Sequence, residues 1–147
     1  MRYRGAKILH QRAAEVTDFG PELERLVKTM LATMRAYKGI GLAAPQVGVS
    51  LQVAVVDTGD GHPEVLVNPV LLSTTGPERA MREGCLSLPS ELHSVTRREH
   101  AIVEAAGLDG VRRRIGAGGM KGRALQHEID HLAGLLIDDR ANQKVLV

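Results

Sequence analysis

The chain has 147 residues, of which 44% are hydrophobic and 24% charged, and its net charge is +2. This length suits one folded domain, so we expect residues 1–147 to form a single domain. The weak positive charge argues against a dedicated nucleic-acid-binding protein, and the single cysteine excludes an internal disulfide. No apolar run reaches the roughly 20 residues of a membrane helix, so we expect no membrane contact. The single cysteine fits a reducing compartment, and we expect a cytoplasmic protein.

The first predicted element is a helix over residues 20–37. Pro21 suits a first helical turn, and Gly39 suits the residue that ends the helix. One apolar face follows from residues at helical spacing, namely Leu23, Leu26, Val27, Met30, Leu31 and Met34. Residues 51–57, LQVAVVD, then predict a strand, and residues 58–61 predict a turn.

The second half of the chain predicts more strands and a last helix. Residues 65–70, VLVNPV, indicate a strand that Pro69 interrupts or ends. Residues 93–118 indicate two strands around a turn at residues 108–110. A helix is predicted over residues 119–133 and ended by Gly134, with a short strand expected within residues 135–147. The order indicates an α+β fold in which mostly antiparallel strands pack around the C-terminal helix, with an N-terminal helix before them.

The C-terminal predicted helix carries the sequence HEIDH at residues 127–131. Residues i and i+4 share one helix face, so His127 and His131 can hold one metal ion. Glu128 is then placed to act as a general base on a metal-bound water, and we expect Asp130 to accept the spare ring N–H of a ligand histidine. The pattern also fits an amphipathic helix with two partly exposed histidines.

A catalytic metal site of this kind needs a third protein ligand. No histidine or glutamate follows His131, which argues against layouts completed by a downstream His or Glu. The strong remaining candidate is Cys85, because a thiolate with two imidazoles is an accepted catalytic set. Considered alone, a single cysteine is more often a buried, unreactive thiol.

Residues 39–48, GIGLAAPQVG, match the pattern G-x-G-x-x-A of dinucleotide-binding proteins. That pattern requires a strand before it and a helix after it, and here the predicted order is reversed. We interpret the stretch as a loop that exposes its backbone to a substrate chain, with Gln46 offering a side-chain amide. The alternative is a helix-to-strand turn without chemistry.

Taken together and in this order, GIGLAAPQ, EGCLS and HEIDH resemble the three signature motifs of the peptide deformylase family. The resemblance covers nearly the whole chain. It implies a metal-dependent hydrolase, with residues 1–147 as its catalytic domain. Such an enzyme removes the N-formyl group from the formyl-methionine of newly made polypeptides and releases formate. It also implies that Cys85, His127 and His131 bind one divalent metal ion, Fe²⁺ in the native enzyme, with Zn²⁺ or Ni²⁺ able to replace it.

The same resemblance assigns roles to the remaining motif residues. It makes Glu128 the general acid/base for a metal-bound water that attacks the formyl carbon. Gln46 and the backbone N–H of Leu86 are expected to stabilise the oxyanion, and Ile40 and Gly41 to lie along the bound peptide. The implied partners are N-formylmethionyl nascent peptides.

One position departs from the family pattern. Leu92 stands roughly where some bacterial members carry an arginine that pairs with the motif glutamate, here Glu83. We expect Arg97 or Arg123 to pair with Glu83 instead. The basic runs at residues 112–114 and 121–123 suggest a contact with ribosomal RNA, whereas a solvated hairpin and helix start is the simpler interpretation.

Two rival functions follow from the same residues. The first is another metal amidase or peptidase that uses this site on a different acyl group. The second is a degenerate homologue that binds a nascent chain or a metal without catalysis. The presence of Glu128, Gln46 and Cys85 argues against the second rival, because a degenerate copy tends to lose such residues.

Overall fold

The N-terminal helix, α1, spans Pro21–Ala36 in the computed structural model, which describes residues 1–142. Its proline lies in the first turn, where the missing N–H removes no helical hydrogen bond. The N–H of Gly39 donates to the carbonyl of Met34 and closes the other end. The buried face carries Leu23, Val27, Met30 and Met34. The helix predicted over residues 20–37 is therefore confirmed.

Five strands form one antiparallel sheet whose spatial order is the order along the chain. They are β1 (Gly41–Ala43), β2 (Val53–Val56), β3 (Glu64–Cys85), β4 (Leu88–Ala106) and β5 (Arg112–Ala117). All four residues of β2 are buried, which explains its continuous apolar sequence. Short 3-10 turns lie at Lys7–His10 and Ala44–Val47.

β3 and β4 form a hairpin of 22 and 19 residues, much longer than the predicted strands. The alternative that Pro69 ends the strand is wrong, because the β3–β4 register shifts between Val67 and Val70 and pairing then resumes. Asn68 takes a left-handed φ of 49° in this bulge. Its side chain accepts from the N–H of Val16 at 2.8 Å and donates to the carbonyl of Val16 at 2.9 Å. The bulge thus absorbs the proline without breaking the strand.

The second helix, α2, spans Gly119–Leu132, close to its predicted bounds, and packs on the sheet. Leu125 and Leu132 pack in one apolar cluster with sheet residues such as Leu66 and Val103. Gly134, at φ 82°, donates to the carbonyl of His131 and closes the helix, as predicted. This packing brings the HEIDH face of α2 against the end of the β3–β4 hairpin.

The short strand expected within residues 135–147 is wrong over residues 137–142, where the chain forms a third helix, α3 (Ile137–Asn142). The carboxylate of Asp139 accepts from the N–H of Leu136 at 2.8 Å and stabilises the helix start. Leu136 and Ile137 are buried beside Leu9. Residues 143–147 lie outside the described part. The α+β prediction is confirmed, and no helix of the described residues is long and apolar enough to cross a membrane.

Candidate metal centre and its cleft

Three predicted ligand residues, from two separate elements, meet at one point. His127 and His131 lie one turn apart on α2, and Cys85 is the last residue of β3. The two Nε2 atoms are 3.1 Å apart, and Sγ of Cys85 lies 3.3 Å from Nε2 of His131. All three donor atoms lie within 4.8 Å of one another. The fold therefore brings the sulfur of Cys85 together with two imidazole nitrogens, although Cys85 and His127 are 42 positions apart in sequence (127 − 85).

The spacing of these donor atoms fits a metal ion. Tetrahedral coordination with bonds of about 2.1 Å to nitrogen and 2.3 Å to sulfur puts the donors about 3.4–3.6 Å apart. The observed 3.1 Å and 3.3 Å lie within a few tenths of an ångström of those values. Thiolate and imidazole ligands suit iron, zinc or nickel and not magnesium or calcium. The residues present thus fit a transition metal with three protein ligands.

Glu83 orients the first histidine. Its carboxylate lies 3.0 Å from Nδ1 of His127, which leaves Nε2 for a metal. Arg97 donates to both oxygens of Glu83, at 2.7 and 3.0 Å, and Arg123 donates at 2.7 Å. The expectation that Arg97 or Arg123 pairs with Glu83 is confirmed, and both do. Burial would raise the pKa of Glu83, but the hydrogen bonds from His127 and Arg97 hold it well below its usual range.

Asp130 does not contact a histidine, so its predicted role is wrong. Its carboxylate accepts from Nη1 of Arg97 at 2.8 Å, and it also accepts two hydrogen bonds from Arg140 of α3. Asp130 directly precedes His131 on α2, so its side chain leaves the helix about 100° around the axis from that histidine and reaches Arg97. Its function is therefore to hold Arg97, which in turn holds Glu83.

Glu128 lies beside the ligand cluster and is 4% exposed. Its Oε2 is buried and has no hydrogen-bond partner among residues 1–142, although the residue lines the open cleft. Burial raises the pKa of Glu128 to about 7, although the nearby charges of His127 and Arg97 act in the opposite direction. A buried carboxyl group with a free oxygen in a cleft can exchange protons with a bound water or substrate.

Gly41 makes room for Glu128. A Cβ built on Gly41 would overlap the glutamate oxygen and lie 2.8 Å from its Cδ. Gly41 and Ile40, the residues expected to lie along the bound peptide, both line the cleft. β1 is the first strand of the sheet, so within the described residues only its β2 side is paired with another strand. An extended peptide can therefore add to β1 next to Glu128.

Gln46 is buried, and its amide has one defined orientation. Oε1 accepts from the N–H of Ala43 at 2.9 Å, while Nε2 donates to Oγ of Ser87 at 3.1 Å and lies 3.7 Å from Sγ of Cys85. The amide nitrogen therefore faces the ligand cluster. Leu86 directly follows Cys85 and also lines the cleft. Both predicted oxyanion donors thus belong to segments beside the candidate metal centre.

Ser87 is a site residue that sequence reasoning missed. Its hydroxyl donates to the carbonyl of Arg2 at 2.8 Å and accepts from Gln46, so it holds the amide in place. Its position inside the EGCLS motif was the only available signal, since no spacing rule predicts this contact with residue 2. The role of Arg97 in holding Glu83 could be suspected only from the need for a cation.

The cleft has a volume of about 800 Å³ and is lined by Gln46, Cys85, His127 and Glu128 together with apolar side chains. Six of the eleven large hydrophobic residues that are exposed in the described part line it, namely Tyr3, Tyr37, Ile40, Met81, Leu92 and Met120. A concentration of exposed apolar side chains around a few polar groups is typical of a ligand site. The cleft therefore suits a substrate with an apolar side chain.

The basic runs lie outside this cleft, except for Arg123, and their side chains pair with acids. Arg112 and Arg114 contact Glu104, and Arg113 contacts Asp109. Lys121 pairs with Glu64 and Asp60. Internal pairing of these cations agrees with the simpler interpretation of a solvated hairpin and helix start.

Comparison with known proteins shows the same family along the whole chain. The family model described as polypeptide deformylase matches residues 1–146. A peptide deformylase of Dictyoglomus thermophilum is 42% identical over 146 residues, covering 99% of this chain and 94% of that relative. One of Pelotomaculum thermopropionicum is 45% identical over 139 residues, covering 93% and 87%.

Solved structures agree with the sequence relatives. The crystal structure of a peptide deformylase from Synechococcus elongatus in complex with actinonin superposes with a TM-score of 0.93 at 40% identity, covering 96% of this chain and 77% of that chain. The peptide deformylase from Thermotoga maritima superposes with a TM-score of 0.92 at 38% identity, covering 95% of each chain.

Proposed function

This chain belongs to the polypeptide deformylase family, and from that premise we propose that Cys85, His127 and His131 bind the one metal ion of the reaction. The chain is a hydrolase that removes the formyl group from formylated nascent peptides. The observation that carries the assignment is the meeting of these three donors beside Glu128 in an open cleft.

We further propose Fe²⁺ as the native ion, with Zn²⁺ or Ni²⁺ able to replace it. The proposal rests on the ligand set, because one thiolate with two imidazoles suits these borderline and soft ions. When bound, the ion supplies Lewis-acid chemistry, since it polarises a carbonyl oxygen and makes water acidic enough to react near neutral pH.

The peptide is proposed to bind along β1, with the backbone of Ile40 and Gly41 beside it. This orientation directs the formyl group toward Cys85 and His127, while the methionine side chain enters the apolar part of the cleft beside Met81 and Met120. Burial of the methionine side chain contributes about 2 kcal/mol and excludes water from the formyl group.

In this arrangement, Glu128 moves the protons. Its carboxylate takes a proton from the attacking water and delivers it to the methionine nitrogen as the C–N bond breaks, so that formate and a free amine result. The formyl oxygen gains negative charge as its carbon becomes tetrahedral. Nε2 of Gln46 and the backbone N–H of Leu86 donate to that oxygen, and the Ser87 hydroxyl keeps the amide turned toward it.

Residues 1–147 are proposed to act as one catalytic domain in the cytoplasm, where formylated nascent peptides arise. A direct contact with the ribosome stays a prediction, and the internally paired basic runs offer it little support. Any such contact that depends on charge should weaken steeply as salt increases.

The test is formate release from a formyl-Met tripeptide by protein loaded anaerobically with Fe²⁺, because air can oxidise the cysteine of an iron–thiolate site. Glu128→Gln is the matched variant, since it keeps the shape of the side chain and removes its proton chemistry. Wild type should release formate, and the variant should be slower by about 10²–10⁴-fold with an unchanged metal content.

Two controls separate the rival functions. Faster hydrolysis of acetyl-Met than of formyl-Met peptides would favour a different amidase. A protein that holds one metal ion per chain and hydrolyses neither peptide would favour a binding role. Loss of metal from both Cys85→Ala and His131→Ala is the expected result for the proposed ligand set.

A further inference from the structure

The charges around the cleft are unequal. Apart from Glu128, the acids that line it are paired within the chain, whereas two of its cations have no acid partner among residues 1–142. Glu83 is held by Arg97 and Arg123. Glu91, the other acid at the cleft besides Glu128, pairs with Arg4 at 2.5 Å and with His93 at 2.9 Å. Among the acids of residues 1–142 that line the cleft, only Glu128, beside the ligand cluster, is then without an ion-pair partner.

The two remaining cations are Lys38 and Arg82, which both line the cleft and are exposed. Within residues 1–142, no carboxylate lies within 4.0 Å of either charged group. Exposed cations without an acid partner keep their full charge available to a ligand. Lys38 and Arg82 therefore contribute a charge of +2 to the lining of the cleft.

The two cations lie on different segments that line the cleft. Lys38 directly precedes Gly39 and Ile40, on the wall that leads into β1. Arg82 lies on β3, two residues before Gly84, and therefore on the same face of the strand. Gly84 pairs with Leu92, and Arg82, Gly84 and Leu92 all line the cleft.

We propose that Lys38 and Arg82 make this enzyme prefer formylated peptides with acidic residues after the formylmethionine. The inference rests on the proposed function and adds a substrate class to it. Formylmethionine itself carries no charge, so the cations can act only on the residues that follow it. Basic residues at the same positions are repelled.

The expected preference is moderate, since both cations are solvated. Exposed charge pairs change binding by about 1.5- to fivefold each. Two cations together should favour an acidic over a basic peptide by about tenfold in kcat/KM. The difference should lie mainly in KM, because these charges lie outside the reacting centre. Salt at about 0.5 M should remove most of it, because the Debye length is then only a few ångströms.

The experiment compares formyl-Met-Glu-Glu, formyl-Met-Gln-Gln and formyl-Met-Lys-Lys, all with amidated C-termini so that no terminal carboxylate competes. Formate release is measured with the Fe²⁺-loaded protein at low and high salt. The expected order of kcat/KM is Glu-Glu, then Gln-Gln, then Lys-Lys, with the spread collapsing at high salt.

A double variant, Lys38→Glu with Arg82→Glu, should reverse that order. The matched control is Lys28→Glu with Arg98→Glu, which changes the net charge equally at two exposed residues that do not line the cleft. This control should keep the wild-type order.

Equal turnover of the acidic and basic peptides, with good turnover of the neutral one, would overturn the inference and leave the proposed function standing. An acidic preference that survives in the Lys38/Arg82 double variant would also overturn it, because the charge would then act from elsewhere. Formate from none of the peptides would overturn the proposed function and this inference with it.

Discussion

Nδ1 of His127 lies 3.0 Å from the carboxylate of Glu83. Glu83 is two residues before Cys85, so the residue that orients one proposed metal ligand is covalently close to another. A displacement of the C-terminal end of β3 would therefore shift Cys85 directly and His127 through its contact with Glu83. Partners that orient a metal-binding histidine commonly change metal affinity by about 10–100-fold when they are removed.

Glu83→Gln should weaken both metal binding and the fold. The variant leaves Arg123 buried without its anion and leaves Arg97 with Asp130 alone, which should lower the free energy of unfolding by about 3 kcal/mol or more. Metal affinity should fall by about 10–100-fold in a chelator competition. The control is Glu99→Gln, whose partner Arg79 is exposed, and which should change stability by less than about 1 kcal/mol. Equal effects of the two variants would contradict the orienting role.

Arg97→Met should cost more stability than Arg140→Met, although both arginines bind Asp130. The Arg97 side chain is 5% exposed and that of Arg140 is 39% exposed. Removing Arg97 takes a buried cationic partner from both Glu83 and Asp130 and should cost about 3–5 kcal/mol, whereas removing Arg140 should cost about 1 kcal/mol or less. Denaturant unfolding of the metal-loaded proteins measures both. A larger loss of stability for Arg140→Met would show that the contact of α3 with Asp130 contributes more to stability than the buried contacts of Arg97.

Gly41→Ala should inactivate the enzyme while leaving the fold largely intact. The added methyl group would overlap the carboxylate of Glu128 and force it away from the cleft. A displacement of about 1 Å at a reacting group commonly costs about 10²-fold in rate, so kcat for formate release should fall by at least that factor. Gly116→Ala is the control, because a Cβ there meets no atom within 4 Å. Full activity of Gly41→Ala would mean that Glu128 has another productive position.

Gln46→Leu should lower kcat by about 10²–10³-fold, the usual cost of removing one oxyanion donor. Its effect on KM should be small, because the hydrogen bond strengthens only as charge develops on the formyl oxygen. Gln52→Leu removes another buried amide, one that donates to the carbonyl of Ala13 at 3.1 Å. That control should lose stability but keep kcat. A KM effect alone in Gln46→Leu would assign the amide to substrate binding.

Much of this architecture could be predicted from local sequence signals. The apolar spacing before Gly39 and the HEIDH spacing before Gly134 each gave a helix within one or two residues of its observed bounds. Both signals are periodic and end at a glycine, so they need no knowledge of distant residues.

The long β3–β4 hairpin could not be predicted in the same way. Residues 70–82 of β3 are almost all exposed, so they lack the alternation that marks a half-buried strand. The proline at 69 is tolerated because Asn68 bonds to Val16, a contact between residues 52 positions apart.

The candidate metal ligands could be predicted from their residue types and spacing, but the residues that hold them in position could not. Asp130 was assigned to a histidine because it is a carboxylate next to one. The helix instead turns it toward Arg97, which arrives from β4. The unpaired cations Lys38 and Arg82 had no sequence signal at all, since their significance depends on which acids are neutralised elsewhere.

A metal ion bound by Cys85 and His127 would also act as a reversible cross-link, because the two residues are 42 positions apart in sequence (127 − 85). Bridging two residues this far apart closes a loop that contains β4 and β5, and a loop of that length restricts the unfolded chain by about 4 kcal/mol in the loop-entropy model. Oxidation of Cys85 therefore opens the loop at the same moment that it ends catalysis. The lifetime of the protein against proteases should follow the supply of metal as closely as its activity does.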